Sequence, residues 1–471
     1  MLQLESGIKA QIGSFFRENE RLNLPTLNEL VDFSFSSLTQ FDSFVENLLT
    51  SIIVHCIIDG QTIDKELGDQ LELKLCQYDF YLKRGKVILA RRAINALVNK
   101  KPLLLNMSLT DCGFLLVDPN RLSPQGSSFQ LPYFIEMMSL AFLFGLFTKS
   151  RLLIDQACSM ALASLHLLNR HGEIPIGPCS ISSDSNSQVI QTLHAATIRA
   201  IYSMTKDKIL YEVSSQINSH CNPTLDTLSP FCRALVEALI SHQPNMLLPP
   251  LKYNQDHTLG FVNLSDFDAS LIVDCYGQGT SFGYIEMNGI EIRAFGLQYA
   301  PLGDMKTFGT YRMEGTTAFS SKLIEAEEVT TYSDWTRIHD PNSSGHKPVP
   351  GKVFAHIGII KKQKELRLKI KLAQYDLKDK LFFTLFIKAD EAIVDGSQVF
   401  ERRVLNKYLG QSKSIAFTHQ KSSLTLDGCH DEEMQLIPLE GCSHFWGADY
   451  MVCYELSSID KEYMWIINTS N

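Results

Sequence analysis

YIEMNGIEIRAF, residues 284–295, is the stretch that decides the fold. Asn288-Gly289 supplies the two positive backbone angles of a type I′ turn, and Ile285, Met287, Ile290 and Ile292 alternate around it so that all face one way. The spacing predicts an antiparallel hairpin with one buried face. On its other face this register sets Glu286 opposite Glu291 and Tyr284 opposite Arg293, with facing Cβ atoms about 5 Å apart.

Downstream, the period of two continues. Residues 270–276, 366–372, 381–387, 423–426 and 448–456 read as strands, with turns at Asp395-Gly396 and Asp427-Gly428. Many short antiparallel strands close most naturally into a sandwich. Upstream the rhythm changes at 243–256, QPNMLLPPLKYNQD, where three prolines stop any helix. Before that point the period is helical. In LLIDQACSMALASLHLL, residues 152–168, apolar side chains recur every three and four positions, and the run ends in Asn169-Arg170-His171-Gly172. Cations beside the last carbonyls and a glycine for the left-handed cap mark a helix end. Ser187 then offers a cap for a helix whose stripe is Val189, Leu193, Ala196, Ala200 and Met204, so the two form an αα-hairpin. Residues 71–98, 133–147, 208–217 and 230–240 extend the helical pattern. The expectation is an α+β multidomain chain: an N-terminal α/α helical domain over 1–245, a linker over 246–255, and a large antiparallel β-sandwich over 256–471.

Composition sets bounds on function. A chain of 471 residues corresponds to about three domains or two large ones. Lys and Arg number 43 against 52 Asp and Glu, a net charge of −9, which argues against nucleic acid as a partner, because neutralising phosphates needs surplus cations. The start, MLQLESGIKAQIGSFF, lacks a charged head followed by an apolar run, so no secretory signal is expected and the cytoplasm is the default location. The apolar run 137–147 falls short of the about 20 residues a bilayer requires. It reads as a buried helix, with no transmembrane segment expected. The 11 cysteines are scattered from Cys56 to Cys453, as reduced thiols are. Cys429-His430, Cys442-x-His444 and Cys453 lack a metal-ligand spacing, and no phosphate loop, nucleophile elbow or dinucleotide fingerprint occurs, so neither metal nor cofactor is expected.

Residues 276–296, YGQGTSFGYIEMNGIEIRAFG, resemble the β-domain segment of the heparinase II/III-like polysaccharide lyases. In that family a His and an Asp precede a Ser-Phe, a strand, a glycine turn and a second strand ending in glycine. Ser281, Phe282, Gly289 and Gly296 match, while the family's His falls on Tyr276 and its Asp on Gln278. LIPLEGCSHFWGADYMVCYEL, residues 436–456, resembles the closing strands of such a sandwich, and HGEIP, residues 171–175, a helix-pair joint of an α/α toroid. The resemblance implies a toroid-like helical domain before the sandwich and an acidic glycan in the crevice between them.

Uronate lyases neutralise a carboxylate and remove the neighbouring proton with a His or Tyr base. Tyr276 could be that base and Gln278 could hydrogen-bond the acid, with Arg199 and Tyr202 sharing a helix face at i, i+3 and His194 on its flank. The plainer reading is that Tyr276 packs at a strand end and the helix residues are an ordinary polar face. Glu286 and Glu291, with Arg293 diagonal to them, read either as a glycosidase-like acid and base or as a solvated outer face. KKQKELRLKIKL, residues 361–372, alternates Leu366, Leu368, Ile370 and Leu372 inward with Arg367, Lys369 and Lys371 outward. That basic row could hold an anionic glycan or an acidic protein partner, or it is a solvated face or a lysine-protected edge. The leading expectation is a carbohydrate-related protein acting on or binding an acidic glycan. The alternative is a non-catalytic interaction or scaffold protein that kept the architecture and lost the His and Asp.

Overall fold

The computed structural model describes residues 24–77, 85–107, 109, 113–115, 131–175, 185–213, 228–241, 261–266, 268–274, 282–299, 310–311, 320–325, 328–338, 352–361, 365–376, 381–404, 406–428, 433–442, 446–459 and 461–470. Two compact units emerge: Met1–Ser108, Tyr133–Leu162 and Gln188–Tyr253 form one, and Leu109–Pro132, Ala163–Ser187 and Asn254–Asn471 the other.

Helices come first: α1 (Leu27–Asp32), α2 (Leu38–Ser51), α3 (Lys65–Leu75), α4 (Gly85–Asn99), α5 (Leu131–Phe147), α6 (Arg151–Ser164), α7 (Ser185–Thr205) and α8 (Pro230–Ser241). Their ends follow from side-chain chemistry. Thr26 and Glu29 close a capping box on α1, Ser37 accepts the Gln40 N–H at the head of α2, and Asp64 accepts that of Leu67 at the head of α3. Phe41, Phe44, Val45, Leu48 and Leu49 give α2 one fully packed stripe, and the chain runs on as a π-helix over Ile52–Ile58. Together Leu38–Ile58 are 21 residues, long and apolar enough to cross a membrane, yet 67% of the apolar window is buried inside the protein, as in a core helix. Among the helical core's polar contacts, Lys86 of α4 reaches Glu136 of α5 at 2.6 Å and lies over the Phe231 ring.

Two boundaries differ from the sequence reading. Residues 71–98 are two helices, broken after Leu75, where Cys76 caps the first and its N–H reaches back to Glu72, Leu73 and Lys74. Helix α7 begins at Ser185, ahead of Ser187.

The strands form two antiparallel sheets. One runs β1 (Phe261–Asn263), β2 (Ala269–Asp274), β3 (Gly283–Met287), β4 (Ile290–Tyr299), β10 (Leu381–Lys388), β17 (Ala448–Glu455), β16 (Glu433–Cys442), β13 (Tyr408–Gln411). The other runs β12 (Gln398–Glu401), β11 (Glu391–Val394), β14 (Ser414–His419), β15 (Ser422–Gly428), β18 (Glu462–Ser470), β9 (Glu365–Asp376), β8 (Lys352–Lys361), β7 (Glu328–Ile338), β5 (Thr310–Tyr311), with β6 (Ser320–Glu325) also on β7. Asp427-Gly428 closes β15 and is paired with β18, so the turn expected there is ladder instead.

Both sheets feed one apolar cluster, which makes the pair a sandwich. Trp465 of β18 meets Phe383 of β10 with ring centroids 4.5 Å apart and Tyr454 of β17 at 5.4 Å, while Phe417 of β14 meets Tyr450 of β17 at 5.9 Å. An α/α helical part thus precedes an antiparallel β-sandwich.

Candidate functional site

The β3–β4 hairpin forms as its turn dictates: Asn288 and Gly289 take φ of 53° and 77°, and Glu286 pairs with Glu291. Replacing Gly289 with alanine adds a Cβ that meets nothing but must keep a left-handed φ, so a loss of about 1 kcal/mol is expected in urea unfolding. An unchanged midpoint would contradict the turn assignment. Further up, the register departs from the expected one. Gly283 pairs with Phe295 while Ile285 pairs with Ile292, so a β-bulge sets two residues of β4, Arg293 and Ala294, against Tyr284. Inward-facing positions therefore change from Ile290 and Ile292 to Phe295 and Leu297, which bring both large side chains into the core.

The hairpin's polar face is covered. Within the sheet unit, the turn after α6 folds over it, fixed by Asn169, whose Oδ1 accepts the N–H of His171 and of Glu173 at 2.9 Å each. Gly172 completes the turn at φ 77°. Asn263 of β1 donates its side-chain amide to the Leu168 carbonyl, and the Arg170 N–H donates to Ser270 Oγ of β2 at 3.0 Å. Those bonds aim Arg170 at Glu286. The guanidinium lies 2.6 Å from Glu286 Oε1, Ser270 Oγ donates to Oε2 at 3.2 Å, and the Gly289 N–H donates to Oε1 at 3.0 Å. His171 Nε2 stands 3.5 Å from Oε2 and accepts from Arg170 Nε at 3.3 Å. Glu286 is only 2% exposed, so it is a buried carboxylate saturated by donors. His171 keeps 44% of its side chain in solvent.

Its neighbours form a second chain. The Tyr284 hydroxyl donates to Glu291 Oε2 at 3.1 Å, and burial, against a hydrogen bond from Asn169, pushes that phenol well above its usual pKa. Arg293 donates to the Trp446 carbonyl and approaches Glu291 at 3.4 Å. Glu286, Glu291 and Arg293 are thus gathered at one place, but on a covered face and not a solvated one. Arg170, His171 and Ser270 belong to the same network. Nothing local in the sequence joins Arg170 to a carboxylate 116 residues away.

Three other candidates, Arg199, Tyr202 and His194, belong to the helical unit. On α7, Arg199 and Tyr202 are partly exposed, with the Tyr202 ring 5.2 Å from Tyr211 and 5.6 Å from Lys206 Nζ. His194, on the same helix, is fully buried, and burial holds its pKa down to about 3, so its ring is neutral inside the helical unit. Tyr276 and Gln278 lie outside the described residues, as do Cys429, His430 and His444. Cys453 is buried, its thiol pushed up to about 12 by burial. No group of three His, Cys, Asp or Glu side chains among the described residues could hold a metal.

The basic row sits on β9, between β18 and β8 in the middle of its sheet, so the edge alternative falls away. Arg367 pairs with Ile466, Lys369 with Met464 and Lys371 with Glu462. Lys369 lies 3.9 Å from Glu462, Arg367 contacts Glu365, and Lys371 is exposed. Lys361, the last residue of β8, is drawn off to Asp266 at 2.7 Å and the Leu264 carbonyl. Burial would raise the Asp266 pKa, but the Lys361 contact and the backbone N–H groups of Ala269 and Asp268 outweigh it and hold it low.

No protein family and no curated protein matches the sequence. Among solved structures, a Paenibacillus xanthan lyase aligns with 94% of this chain at 10% identity and a TM-score of 0.46, the chain spanning 47% of the lyase. The Streptomyces coelicolor A3 chondroitin AC lyase, in complex with chondroitin sulphate, aligns over 94% of this chain and 70% of its own at 9% identity and a TM-score of 0.49. A galactose mutarotase-like protein from Lactobacillus casei ATCC 334 covers 45% of this chain and 99% of its own at 9% identity and a TM-score of 0.27. Likenesses this distant carry nothing about a reaction or a ligand.

Proposed function

We propose that this chain is a carbohydrate-related protein that binds an acidic glycan along the outward face of β9 and does not process it through the hairpin carboxylates. The observation carrying the reading is the row Arg367, Lys369, Lys371 at alternate positions of a central strand, in a chain of net charge −9. Alternate residues stand about 7 Å apart along a strand. A glycan repeats its carboxylates or sulfates on the scale of a sugar ring, so one such chain can meet several of these cations at once. Met464 and Ile466, cross-strand from Lys369 and Arg367, are half-buried and offer apolar surface to the C–H faces of sugar rings. The saturation of Glu286 supports binding over cleavage at the hairpin, because a general acid or base must reach its substrate and this carboxylate is covered.

Affinity electrophoresis through heparin, hyaluronan, chondroitin and alginate, with absorbance at the unsaturated-uronate band followed in parallel, tests this. At least one polyanion is expected to retard the native chain without an absorbance rise. Lys369→Glu with Lys371→Glu is expected to weaken retardation at least about ten-fold, with only a small fall in melting temperature from the like charges set against Glu462. Unretarded migration in all four, or an unaffected variant, overturns the proposal. An absorbance rise abolished by Tyr276→Phe replaces it with the lyase reading.

A further inference from the structure

One corner of the helical unit gathers apolar and cationic side chains. The chain leaving α4 reads Lys100-Lys101-Pro102-Leu103-Leu104, and the turn from α5 to α6 reads Phe147-Thr148-Lys149-Ser150-Arg151-Leu152. They are stitched together: the Leu103 N–H donates to Thr148 Oγ1 at 3.1 Å and Ser150 Oγ donates to the Leu103 carbonyl. Leu103 and Ser150 are buried by this pairing, which leaves Leu104, Phe147 and Leu152 facing out at 70%, 37% and 41% exposure. Lys100, Lys101, Lys149 and Arg151 are all exposed around them. In these two segments and the first turn of α6 the acidic side chain is Asp155, paired with Arg151 at 2.8 Å.

A helix C-terminus favours lysine through its dipole, which accounts for Lys100 and Lys149 as ordinary caps. It does not account for Leu104, Phe147 and Leu152 kept in water beside them. Apolar side chains ringed by cations on an exposed turn are the pattern that inserts shallowly into a lipid interface while the cations meet anionic headgroups. A second copy of this chain is a poor occupant, since it would set four cations against four. Leu104 also stands too far into solvent to line a groove for a peptide.

We propose that this corner docks on an anionic phospholipid surface, Leu104, Phe147 and Leu152 entering the interface and Lys100, Lys101, Lys149 and Arg151 holding the headgroups. The test is co-sedimentation of the 471-residue chain with vesicles of phosphatidylcholine alone and of phosphatidylcholine with phosphatidylserine. Binding is expected only to the anionic vesicles and should fall steeply with salt. Both Lys100→Glu with Lys101→Glu and Leu104→Ser with Leu152→Ser are expected to reduce it at least about ten-fold; the exposed leucine pair should leave the unfolding midpoint unchanged, and the lysine pair should lower it only slightly, through the lost cap on α4. The Lys369→Glu, Lys371→Glu variant should bind vesicles like the native chain, which separates this surface from β9. No binding to anionic vesicles, equal binding to neutral ones, or indifference to either corner variant overturns the proposal. Binding to polyglutamate but not to vesicles assigns the corner to an acidic polypeptide and overturns it as well.

Discussion

Replacing Arg170 with alanine is expected to destabilise the sheet unit by about 3–5 kcal/mol, the cost of stranding a buried carboxylate. Glu286 is 2% exposed and its oxygens are held by Arg170, Ser270 and the Gly289 N–H. Without the guanidinium, the buried carboxylate is left with Ser270, the Gly289 N–H and the partly exposed His171 ring 3.5 Å away, a weaker set of partners than one that includes the cation. Arg170 itself is 22% exposed, so the converse change, Glu286→Gln, leaves a cation that can turn to solvent and should cost less. Combining Arg170→Ala with Glu286→Gln should therefore recover a good part of the loss. Urea unfolding followed by tryptophan fluorescence reads the sheet unit, because Trp446 and Trp465 are both buried there. Additive losses in the double variant would contradict a coupled pair.

The helical unit should lose stability as the solution is acidified from neutrality, through His194. Burial holds this imidazole down to about 3 from an ordinary value of 6.5. Below 6.5 the unfolded chain takes up a proton that the folded chain refuses until about 3, so acid favours unfolding. The stabilisation is complete above the unfolded value and drains as the pH falls to the folded one. At about 1.4 kcal/mol per unit, the total approaches about 5 kcal/mol across that window. Denaturation midpoints of the helical unit, by far-ultraviolet circular dichroism between pH 7.5 and 4, should fall less steeply in His194→Gln than in the native chain. Parallel slopes would contradict a role for His194 in this acid sensitivity.

Particular residues show why some of this was legible in the sequence. Asn288-Gly289 fixed the hairpin because positive backbone angles at adjacent positions leave few alternatives, and the alternation of 366–372 fixed which side of β9 is cationic. Strand neighbours are another matter. Whether β9 lies at an edge or in the middle depends on β18 and β8, and nothing within β9 encodes either. The bulge at Arg293 and Ala294 escaped for a related reason: Ala294 fits either face, and only the packing of Phe295 and Leu297 selects one. The site showed the same division. Glu286, Glu291 and Arg293 were visible as a cluster from hairpin register alone, but the covering turn at Asn169–Glu173 comes from far away in sequence and converts a face that reads as solvated into a buried network.

On the proposed function, β9 presents its cations to a polyanion. This is tested most directly by the salt dependence of glycan binding, comparing the native chain with a variant carrying Arg367→Gln, Lys369→Gln and Lys371→Gln. If these side chains make the contact, log affinity falls linearly with log salt in the native chain, and the variant shows both weaker binding and a shallower slope, because fewer counterions are released. The same slope in both proteins would mean that the glycan is held elsewhere.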